Sequence, residues 1–338
     1  MSMQLPSPYL LFLGDIVEPR HAKTAFGLRD WAPERCVGEW SIPPSTLTTG
    51  LPRLTPGEAY AKGARALVIG AAPVGGAITA AWLPSLLEAL EAGLDVISGM
   101  HTRLREAPDL RAAAERLGRR LIDVRTPPPG IQVATARRRS GKRLLTVGTD
   151  CALGKKYTAL ALAKALESRG VDATFRATGQ TGILIAGAGV PLDSVVADFV
   201  AGAAEMVSPA ASPDHWDVIE GQGSLFHPAY AGVSLGLLHG SQPDVIVVCH
   251  EPGRHSILGF PDYPVPSLEE TIALNLDLAR RTNPAVRCAG VSLNTAAMSD
   301  DEARALFAEH STRLGLACAD PLRGGVEFEG LVNACLGD

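Results

Sequence analysis

One segment constrains this chain more than any other, because its pattern is typical of a loop that binds phosphate. It follows the apolar run 144–147 and reads Gly148-Thr149-Asp150-Cys151-Ala152-Leu153-Gly154-Lys155-Lys156-Tyr157-Thr158. A helical pattern comes next, and Gly170 is its expected stop. In a strand, loop and helix of this kind, backbone amides and the helix N-terminus face an anion, and the lysine adds a full charge. We therefore predict an anion site at this loop.

The spacing of the loop departs from the common phosphate-loop pattern. Five residues rather than four separate Gly148 from Gly154, and Lys156 stands where Ser or Thr usually follows the lysine. The alternative is a glycine turn that merely opens a helix. The strand, the loop and the helix all favour the phosphate-binding interpretation.

Length and composition indicate two domains. The chain has 338 residues, more than a single core usually holds. Residues 126–130 read Thr-Pro-Pro-Pro-Gly, which stops a helix or a central strand. We place the boundary near residues 130–142 and predict domains at 1–135 and 136–338. The basic run that follows, Arg137 to Arg139 with Lys142 and Arg143, is interpreted as a solvated linker; the alternative is that it reaches the far end of a bound phosphate.

Charge and hydropathy exclude several classes of function. A net charge of −5 does not favour general binding to nucleic acid, which is itself negatively charged. No apolar run approaches the roughly 18 residues that span a bilayer, and the first residues lack the pattern of a secretory signal. The six cysteines are scattered without a CxxC pair, which is typical of reduced thiols. We expect a cytoplasmic protein that binds neither nucleic acid nor membrane.

The N-terminal half alternates strand and helix signals. Apolar runs at 9–13, 66–70, 95–98 and 121–124 are separated by helical stretches such as 82–92 and 110–117. Buried strands spaced by helices predict a Rossmann-like parallel α/β sheet. Residues 70–76 faintly resemble a dinucleotide loop, although a tight turn is the better interpretation.

A polar segment follows the first of these strands, where open α/β sheets usually place ligand loops. Its candidate acid or base is Asp15, and Arg20, Lys23 and Arg29 are candidate partners for a carboxylate. The alternative is a solvated loop with ordinary surface charges.

Polar groups also follow strands in the second half. The run 173–177 leads into Thr-Gly-Gln-Thr-Gly at 178–182, and the run 216–219 ends at Glu220. In phosphate-loop proteins that acidic position lies beside the metal or the attacking group. Further buried strands are expected at 245–250 and 288–293. The second domain is therefore predicted to be a phosphate-loop (P-loop) NTPase-like α/β domain.

The loop from Gly148 to Lys155 resembles that of dethiobiotin synthetase. Members of that family have a Glu-Gly pair at a strand end, which corresponds to Glu220-Gly221 here. They also have an Asn at a later strand end that recognises adenine, which corresponds to Asn294. The whole chain is more similar to a two-domain family, formerly uncharacterised, that includes D-glutamate N-acetyltransferases. The resemblance runs through residues 5–15, 22–25, 98–101, 148–158, 176–182 and 220–228.

The resemblance implies acetyl transfer from acetyl-CoA to the α-amine of D-glutamate. The Ser or Thr that helps to bind magnesium in dethiobiotin synthetase is replaced by Lys156, which cannot bind a cation. Two lysines are able to neutralise phosphates without a metal, which suits a tethered ligand such as acetyl-CoA. We expect no metal ion.

Acetyl transfer requires a general base, donors for an oxyanion and cationic partners for carboxylates. Glu220 and His227 are the candidate bases, with His250, His255 and His101 as competitors. Gln222 and Ser224 are candidate oxyanion donors. The candidate substrate-binding residues are Arg20, Lys23, Arg176, Gln180, Gln222 and Ser224.

Two other classes of function stay open at this point. One is an ATP-dependent ligase that activates a carboxylate, and Lys156 disfavours it. The other is a nucleotide-binding module without turnover, which the polar strand ends disfavour. We further expect small-molecule substrates and a homo-oligomer.

Overall fold

The computed structural model describes residues 5–71 and 77–337, apart from the side chain of Arg20. Most of the glycine-rich turn at 70–76 lies outside those residues. The chain forms two compact units, Met1–Pro128 with Gln180–Pro191, and Pro129–Gly179 with Leu192–Asp338. This division differs from the predicted one at two places: residues 129–135 belong to the second unit, and residues 180–191 cluster with the first.

The first unit contains a five-stranded parallel sheet of order β2-β1-β3-β4-β5. Its strands are β1 (Tyr9–Gly14), β2 (Cys36–Ser41), β3 (Ala66–Ile69), β4 (Asp95–Ser98) and β5 (Leu121–Asp123). Its helices are α1 (Lys23–Trp31), α2 (Pro56–Ala61), α3 (Leu83–Glu91), α4 (Pro108–Leu117) and α6 (Gln180–Ala186), with 3-10 turns at Pro19–His21, Pro33–Arg35, Ala80–Trp82 and Leu104–Glu106.

The core of the first unit is formed by buried apolar side chains of its strands and helices. Every residue of β1 is buried, as expected for a strand with helices on both faces of its sheet. Trp82 is fully buried and meets the Phe12 ring edge-on at 5.6 Å. Helix α6 joins this unit through its buried apolar side chains and through a hydrogen bond of 3.1 Å between the hydroxyls of Thr181 and Thr24.

The second unit contains a six-stranded parallel sheet of order β13-β12-β9-β6-β8-β7. Its strands are β6 (Lys142–Gly148), β7 (Ala173–Arg176), β8 (Trp216–Ile219), β9 (Val245–His250), β12 (Arg287–Leu293) and β13 (Ala317–Ala319), and β10 (Ser256–Ile257) pairs with β11 (Phe260–Pro264) in an antiparallel hairpin. Its helices are α5 (Lys155–Ser168), α7 (Val200–Val207), α8 (Ala231–Ser241), α9 (Leu268–Ala279), α10 (Asp300–Leu314) and α11 (Gly325–Leu336), with 3-10 turns at Leu192–Ser194 and Ala197–Phe199.

Strand β6 lies inside this sheet, between β8 and β9. The chain leaves β6 through α5 to build β7 and β8 on one side, and then crosses to build β9 on the other. The carboxyl end of β6 is therefore a topological switch point, where open α/β sheets bind ligands. Helix α5 begins at Lys155, and Gly170 follows its end with a φ of 76°.

These features confirm the predicted α/β fold, with one parallel sheet in each half. Among the described residues, no helix combines the length and the apolar character needed to cross a bilayer. All six cysteines are free thiols.

Candidate functional site

The predicted phosphate loop contains residues with left-handed backbone conformations, and a neighbouring segment packs closely against the strand that precedes the loop. Gly154, immediately before α5, has a φ of 105°, and Ala152 has a φ of 55°. Gly221, after β8, passes so close to β6 that a Cβ there would lie 1.7 Å from the carbonyl oxygen of Thr146. Only glycine therefore fits at position 221, and the segment after β8 is held against the loop strand.

Lys155 is a buried cation at the first position of α5. Its Nζ donates a hydrogen bond of 2.7 Å to the carbonyl oxygen of Asp150, and 7 % of the residue is exposed. Burial lowers the pKa of Lys155 from its usual value, because the charged form loses its hydration. An ammonium in such surroundings favours an anion as a partner.

Asp150 anchors the loop rather than presenting its carboxylate to a ligand. Its Oδ1 accepts a bond of 2.6 Å from the amide of Cys151. Its Oδ2 accepts bonds from Arg254 at 2.9 Å and from the amide of Leu258 at 2.8 Å. The Arg254 guanidinium also donates to the carbonyl of Cys151 at 2.7 Å. The segment after β9 thus holds the tip of the loop in place.

Two threonines of the motif face the interior. The hydroxyl of Thr149 lies 3.0 Å from Nδ1 of His250, and that of Thr158 lies 2.8 Å from the hydroxyl of Ser292. Both threonines are buried. Burial lowers the pKa of His250 to about 4, so this competing histidine is neutral at pH 7 and is a weak base. Gly148 is likewise enclosed, with the Cys249 carbonyl beside it.

Lys156 and Tyr157 begin the exposed side of α5 and are half-buried. The Nζ of Lys156 lies 4.5 Å from the centre of the Tyr157 ring, which is a cation–π distance. The positive charge of Lys156 favours the ionised form of Glu220, and this contribution by itself lowers the pKa of that carboxyl group. The loop lysines and the strand-end glutamate therefore share one electrostatic environment.

Glu220 is a buried carboxylate at the end of β8, with 4 % of the residue exposed. Its Oε2 accepts hydrogen bonds from the amides of Thr178 at 2.9 Å and Gly179 at 3.0 Å. Burial raises the pKa of Glu220 above its usual value, although Lys156 and the two amides oppose that shift. The result is a carboxylate in a fixed position that is more basic than an ordinary glutamate.

The three predicted substrate-binding residues of the second unit have different hydrogen-bond partners. Gln222 donates a bond of 3.1 Å to the hydroxyl of Thr178 and so lies beside Glu220. The buried hydroxyl of Ser224 donates a bond of 3.1 Å to the carbonyl of Thr149, which ties this segment to the phosphate loop. The Nε of Arg176 donates a hydrogen bond of 2.5 Å to Oδ1 of Asp217. Arg176, a predicted partner for a substrate carboxylate, is therefore already paired.

His227 is buried against aromatic rings. Its ring stacks on Tyr230 at 4.4 Å between centroids and meets Phe260 edge-on at 5.1 Å. Its Nδ1 accepts a hydrogen bond of 3.1 Å from the amide of Ala229. In the neutral ring the proton is then carried on Nε2, so His227 is a donor there and not a base.

Asp150, Cys151 and His227 form a cluster with the side-chain types that bind metals. One ligand atom from each lies within 4.8 Å of the others. Two bonds argue against a cation at this cluster: Arg254 already neutralises Asp150, and Nδ1 of His227 is held as an acceptor. With that acceptor in place, Nε2 carries the proton and has no lone pair for a metal.

Four of the predicted site residues lie in the first unit. Asp15 accepts a bond of 2.8 Å from the indole nitrogen of Trp82, and Lys23 is exposed at the start of α1. Gln180 packs against the backbone at Gly99, since a Cβ on that glycine would lie 1.8 Å from its Oε1. Arg20 lies in a 3-10 turn, and its side chain is outside the described residues.

Asn294 follows β12, and its backbone amide donates to the carbonyl of His250 at 2.8 Å. Its side-chain Oδ1 accepts a bond of 3.3 Å from the amide of Ala296. The side chain is half-buried. The structure thus places Asn294 at the same edge of the sheet as the phosphate loop, two strands away.

The basic run lies at the opposite, amino end of β6. Arg139 donates to the carbonyls of Ser208, Gly240 and Ser241, and Arg143 donates to a second set of carbonyls, those of Arg139, Ser140, Gly141 and Pro209. Both guanidinium groups are largely enclosed, so the prediction of a solvated linker is wrong for these two residues. They serve the packing of the unit and not the phosphate loop.

Sequence reasoning missed two parts of this site. Arg254 lies in a loop without periodicity, and only its position after a buried strand with a polar exit was a usable signal. The amides of Thr178 and Gly179 bind Glu220 through the backbone, which side-chain patterns do not reveal.

Comparison with known proteins gives the same two-domain organisation. Residues 36–127 match the family model described as a domain of unknown function (DUF1611_N) Rossmann-like domain, and residues 131–328 match the domain of unknown function (DUF1611_C) P-loop domain. A crystal structure of a DUF1611 family protein from Anabaena variabilis superposes with a TM-score of 0.86 at 33 % identity, covering 98 % of this chain and 100 % of that one.

Two relatives carry a functional name. A D-glutamate N-acetyltransferase from Tritonibacter scottomollicae is 51 % identical over 95 % of this chain and 96 % of its own length. Another protein of that name, from Pseudoalteromonas sp., is 47 % identical over 96 % of this chain and 98 % of its own length.

Proposed function

The chain belongs to the two-domain DUF1611 family, and we propose that it is a D-glutamate N-acetyltransferase that uses acetyl-CoA. The observation that carries this proposal is the similarity to two enzymes of that name, at 51 % and 47 % identity over almost the whole chain. The geometry around the phosphate loop supports it, because it supplies an anion site, a base and hydrogen-bond donors in one unit.

The phosphate loop is the proposed site for the phosphates of acetyl-CoA. The buried Lys155 needs an anionic partner, and the amides at the N-terminus of α5 face the same region. Lys156 adds a second charge in place of the metal-binding hydroxyl of common phosphate loops. We propose that binding requires no metal ion and that ATP is not consumed.

Glu220 is the proposed general base. The α-amine of an amino acid arrives as an ammonium group and must lose a proton before it can attack. The raised pKa of Glu220 suits this role, and the amides of Thr178 and Gly179 hold its Oε2 in place. Its other oxygen, Oε1, is not used by these two bonds and is the atom that we assign to the proton.

His227 is the proposed donor to the oxyanion of the tetrahedral intermediate. Its Nε2–H is fixed by the bond that Nδ1 accepts from Ala229. Gln222 has a second amide hydrogen besides the one that it donates to Thr178. The ammonium gives its first proton to Glu220, and the amine nitrogen then bonds to the thioester carbon. As the carbon–sulfur bond breaks, the nitrogen loses a second proton to the departing CoA thiolate, and Glu220 returns the first proton to the solvent.

The carboxylates of D-glutamate require cationic partners. Lys23 and Arg20 remain our proposed partners, whereas Arg176 is paired with Asp217 and contributes only if that pair opens. We also propose a cytoplasmic homo-oligomer that acts on small molecules.

The test is a coupled assay on the purified protein. With acetyl-CoA and D-glutamate, free thiol should appear in step with N-acetylated product, in the presence of EDTA and without ATP. Glutamine and alanine should be poor acceptors, because a cation placed for the side-chain carboxylate is then left unpaired.

Each outcome contradicts a different part of the proposal. Thiol release without preference for glutamate over alanine contradicts the substrate but leaves the acetyltransferase. No thiol release with either enantiomer of glutamate, from folded protein that binds acetyl-CoA, contradicts both. Loss of activity in EDTA together with ATP consumption favours the ligase.

A further inference from the structure

A cavity of about 450 Å³ lies beside the phosphate loop in the second unit. It is lined by residues 251–254, which follow β9, and by residues 256–261 of the hairpin of β10 and β11. Its volume falls within the roughly 300–1,000 Å³ that small-molecule sites occupy. The lining combines the charged side chains of Glu251 and Arg254 with the apolar side chains of Ile257, Leu258 and Phe260.

Two lining residues of the cavity are hydrogen-bonded to the phosphate loop. Arg254 and the amide of Leu258 both bind the carboxylate of Asp150, at 2.9 and 2.8 Å. Arg254 also binds the carbonyl of Cys151. A ligand whose phosphates occupy the loop therefore has one wall of the cavity directly beside it.

One lining residue of the cavity also contacts His227. Phe260 lines the cavity and meets the His227 ring edge-on at 5.1 Å. The same phenyl ring meets Tyr263 at 6.0 Å. Half of Leu258 and half of Tyr263 are exposed, at 52 % and 51 %. Large apolar side chains gathered at an open cavity are typical of a surface that a ligand covers.

We propose that this cavity holds the pantetheine arm of acetyl-CoA, an inference that rests on the proposed function. The arm starts at the pyrophosphate, carries a dimethyl group and two amides, and ends in the thioester. The cavity adjoins the phosphate loop through Arg254 and Leu258, offers apolar side chains at Leu258 and Phe260, and adjoins His227 through Phe260. The arm laid along it brings the thioester to the proposed oxyanion donor.

The experiment compares two ligands that differ only in the arm. Calorimetric titration measures the binding of CoA and of 3′-phospho-ADP, which is CoA without pantetheine. The variants are Leu258→Ser and Phe260→Ala, and the matched control is Val133→Ser, an apolar residue of the same unit that is 62 % exposed. Because Leu258 is half exposed, its replacement should leave folding intact.

For Leu258→Ser we expect about three- to tenfold weaker CoA binding, and for Phe260→Ala about ten- to thirtyfold weaker binding. The affinity for 3′-phospho-ADP should stay within about twofold, and Val133→Ser should change neither ligand. Unchanged CoA binding, or equal losses for both ligands, overturns the inference but leaves the proposed function standing. If the natural protein binds neither ligand, the proposed donor fails and the inference fails with it.

Discussion

The two ends of strand β6 both carry buried charge, but the charges are held in different ways. At the amino end, Arg139 and Arg143 donate to seven backbone carbonyls, and Arg139 lies 3.5 Å from the carboxylate of Glu205. At the carboxyl end, Lys155 donates to one carbonyl, and Glu220 accepts from two neutral amides.

The charges at the amino end are satisfied within the fold, whereas those at the carboxyl end are the ones that we propose to act on the ligand and the substrate. A guanidinium surrounded by carbonyls needs no ligand, because its hydrogen-bonding capacity is largely filled within the fold. Burial lowers the pKa of Lys155 and raises that of Glu220, so both groups are destabilised as ions until a ligand or a substrate supplies what is missing. Sequence motifs rich in Arg and Lys do not distinguish these two situations.

The largest effect should come from Glu220→Gln at the carboxyl end. If Glu220 is the base, kcat should fall by about 10²–10⁴-fold, the usual cost of removing a general base. Steady-state thiol release measures it. The matched control is Glu205→Gln at the amino end, which should lower stability but keep kcat. Equal kcat in the Glu220 variant and the natural protein would remove Glu220 from the mechanism.

The pH dependence should follow from the same carboxyl group. The pKa of Glu220 is raised, so the active carboxylate is lost as the pH falls through that value, and kcat should decline on the acid side. Stability has the opposite sign: a raised pKa favours folding below the unfolded value and loses that contribution as the pH rises. Glu220→Gln should therefore be at least as stable as the natural protein at pH 7. Urea titrations at pH 5 and pH 7 measure the difference, and a variant that is less stable at pH 7 contradicts the sign.

The next effect belongs to the amino end. Arg143→Met leaves four carbonyls without their donor, and we expect a loss of about 2–4 kcal/mol in the free energy of unfolding. Urea denaturation measures it, and the exposed Arg137→Met is the control. The KM for acetyl-CoA should not change in the folded variant. A tenfold rise in KM would instead mean that the basic run reaches the ligand.

Lys155→Ala should weaken acetyl-CoA binding by ~1.5–3 kcal/mol, typical of a hydrogen bond to a charged group. Calorimetry measures this, with the exposed Lys164→Ala on the same helix as the control. The folded state should not be destabilised at pH 7, because a lysine with a lowered pKa costs stability while it is charged. Unchanged acetyl-CoA affinity would place the phosphates elsewhere.

The sequence predicted the parts of the fold that depend on apolar pattern. The run 144–147 and the glycine-bounded loop identified β6 and α5, because a buried parallel strand reads as continuous apolar residues. The sequence analysis did not predict the edge strand β2, because this strand contains Gly38 and Glu39 and is only half-buried. The membership of α6 in the first unit also escaped, because contacts distant in sequence leave no periodicity.

The positions of candidate residues were predictable where a strand end or a helix start fixes them, and the roles of these residues stay predictions. Glu220 at a strand end and Lys155 at a helix start are such positions, and the predicted relation to D-glutamate N-acetyltransferases is confirmed by two relatives. Asp150 was expected to contact the cofactor, yet Arg254 and Leu258 occupy its Oδ2. A partner far along the chain decides what a side chain faces, and spacing does not contain that information.

The smallest expected effect tests a residue that spacing placed in the phosphate site and the structure places in the interior. The hydroxyl of Thr158 bonds to Ser292 and is buried against Cys249. Thr158→Val keeps the shape and removes the hydrogen bond with Ser292 and the weak one from the Cys249 thiol, so stability should fall by about 1 kcal/mol. Because the hydroxyl does not face the loop opening, acetyl-CoA affinity should stay within about twofold, unlike that of Lys155→Ala. A tenfold loss of affinity in the presence of magnesium, absent in EDTA, would show that Thr158 supports a metal-bound phosphate and that β6 ends in an ordinary nucleotide site.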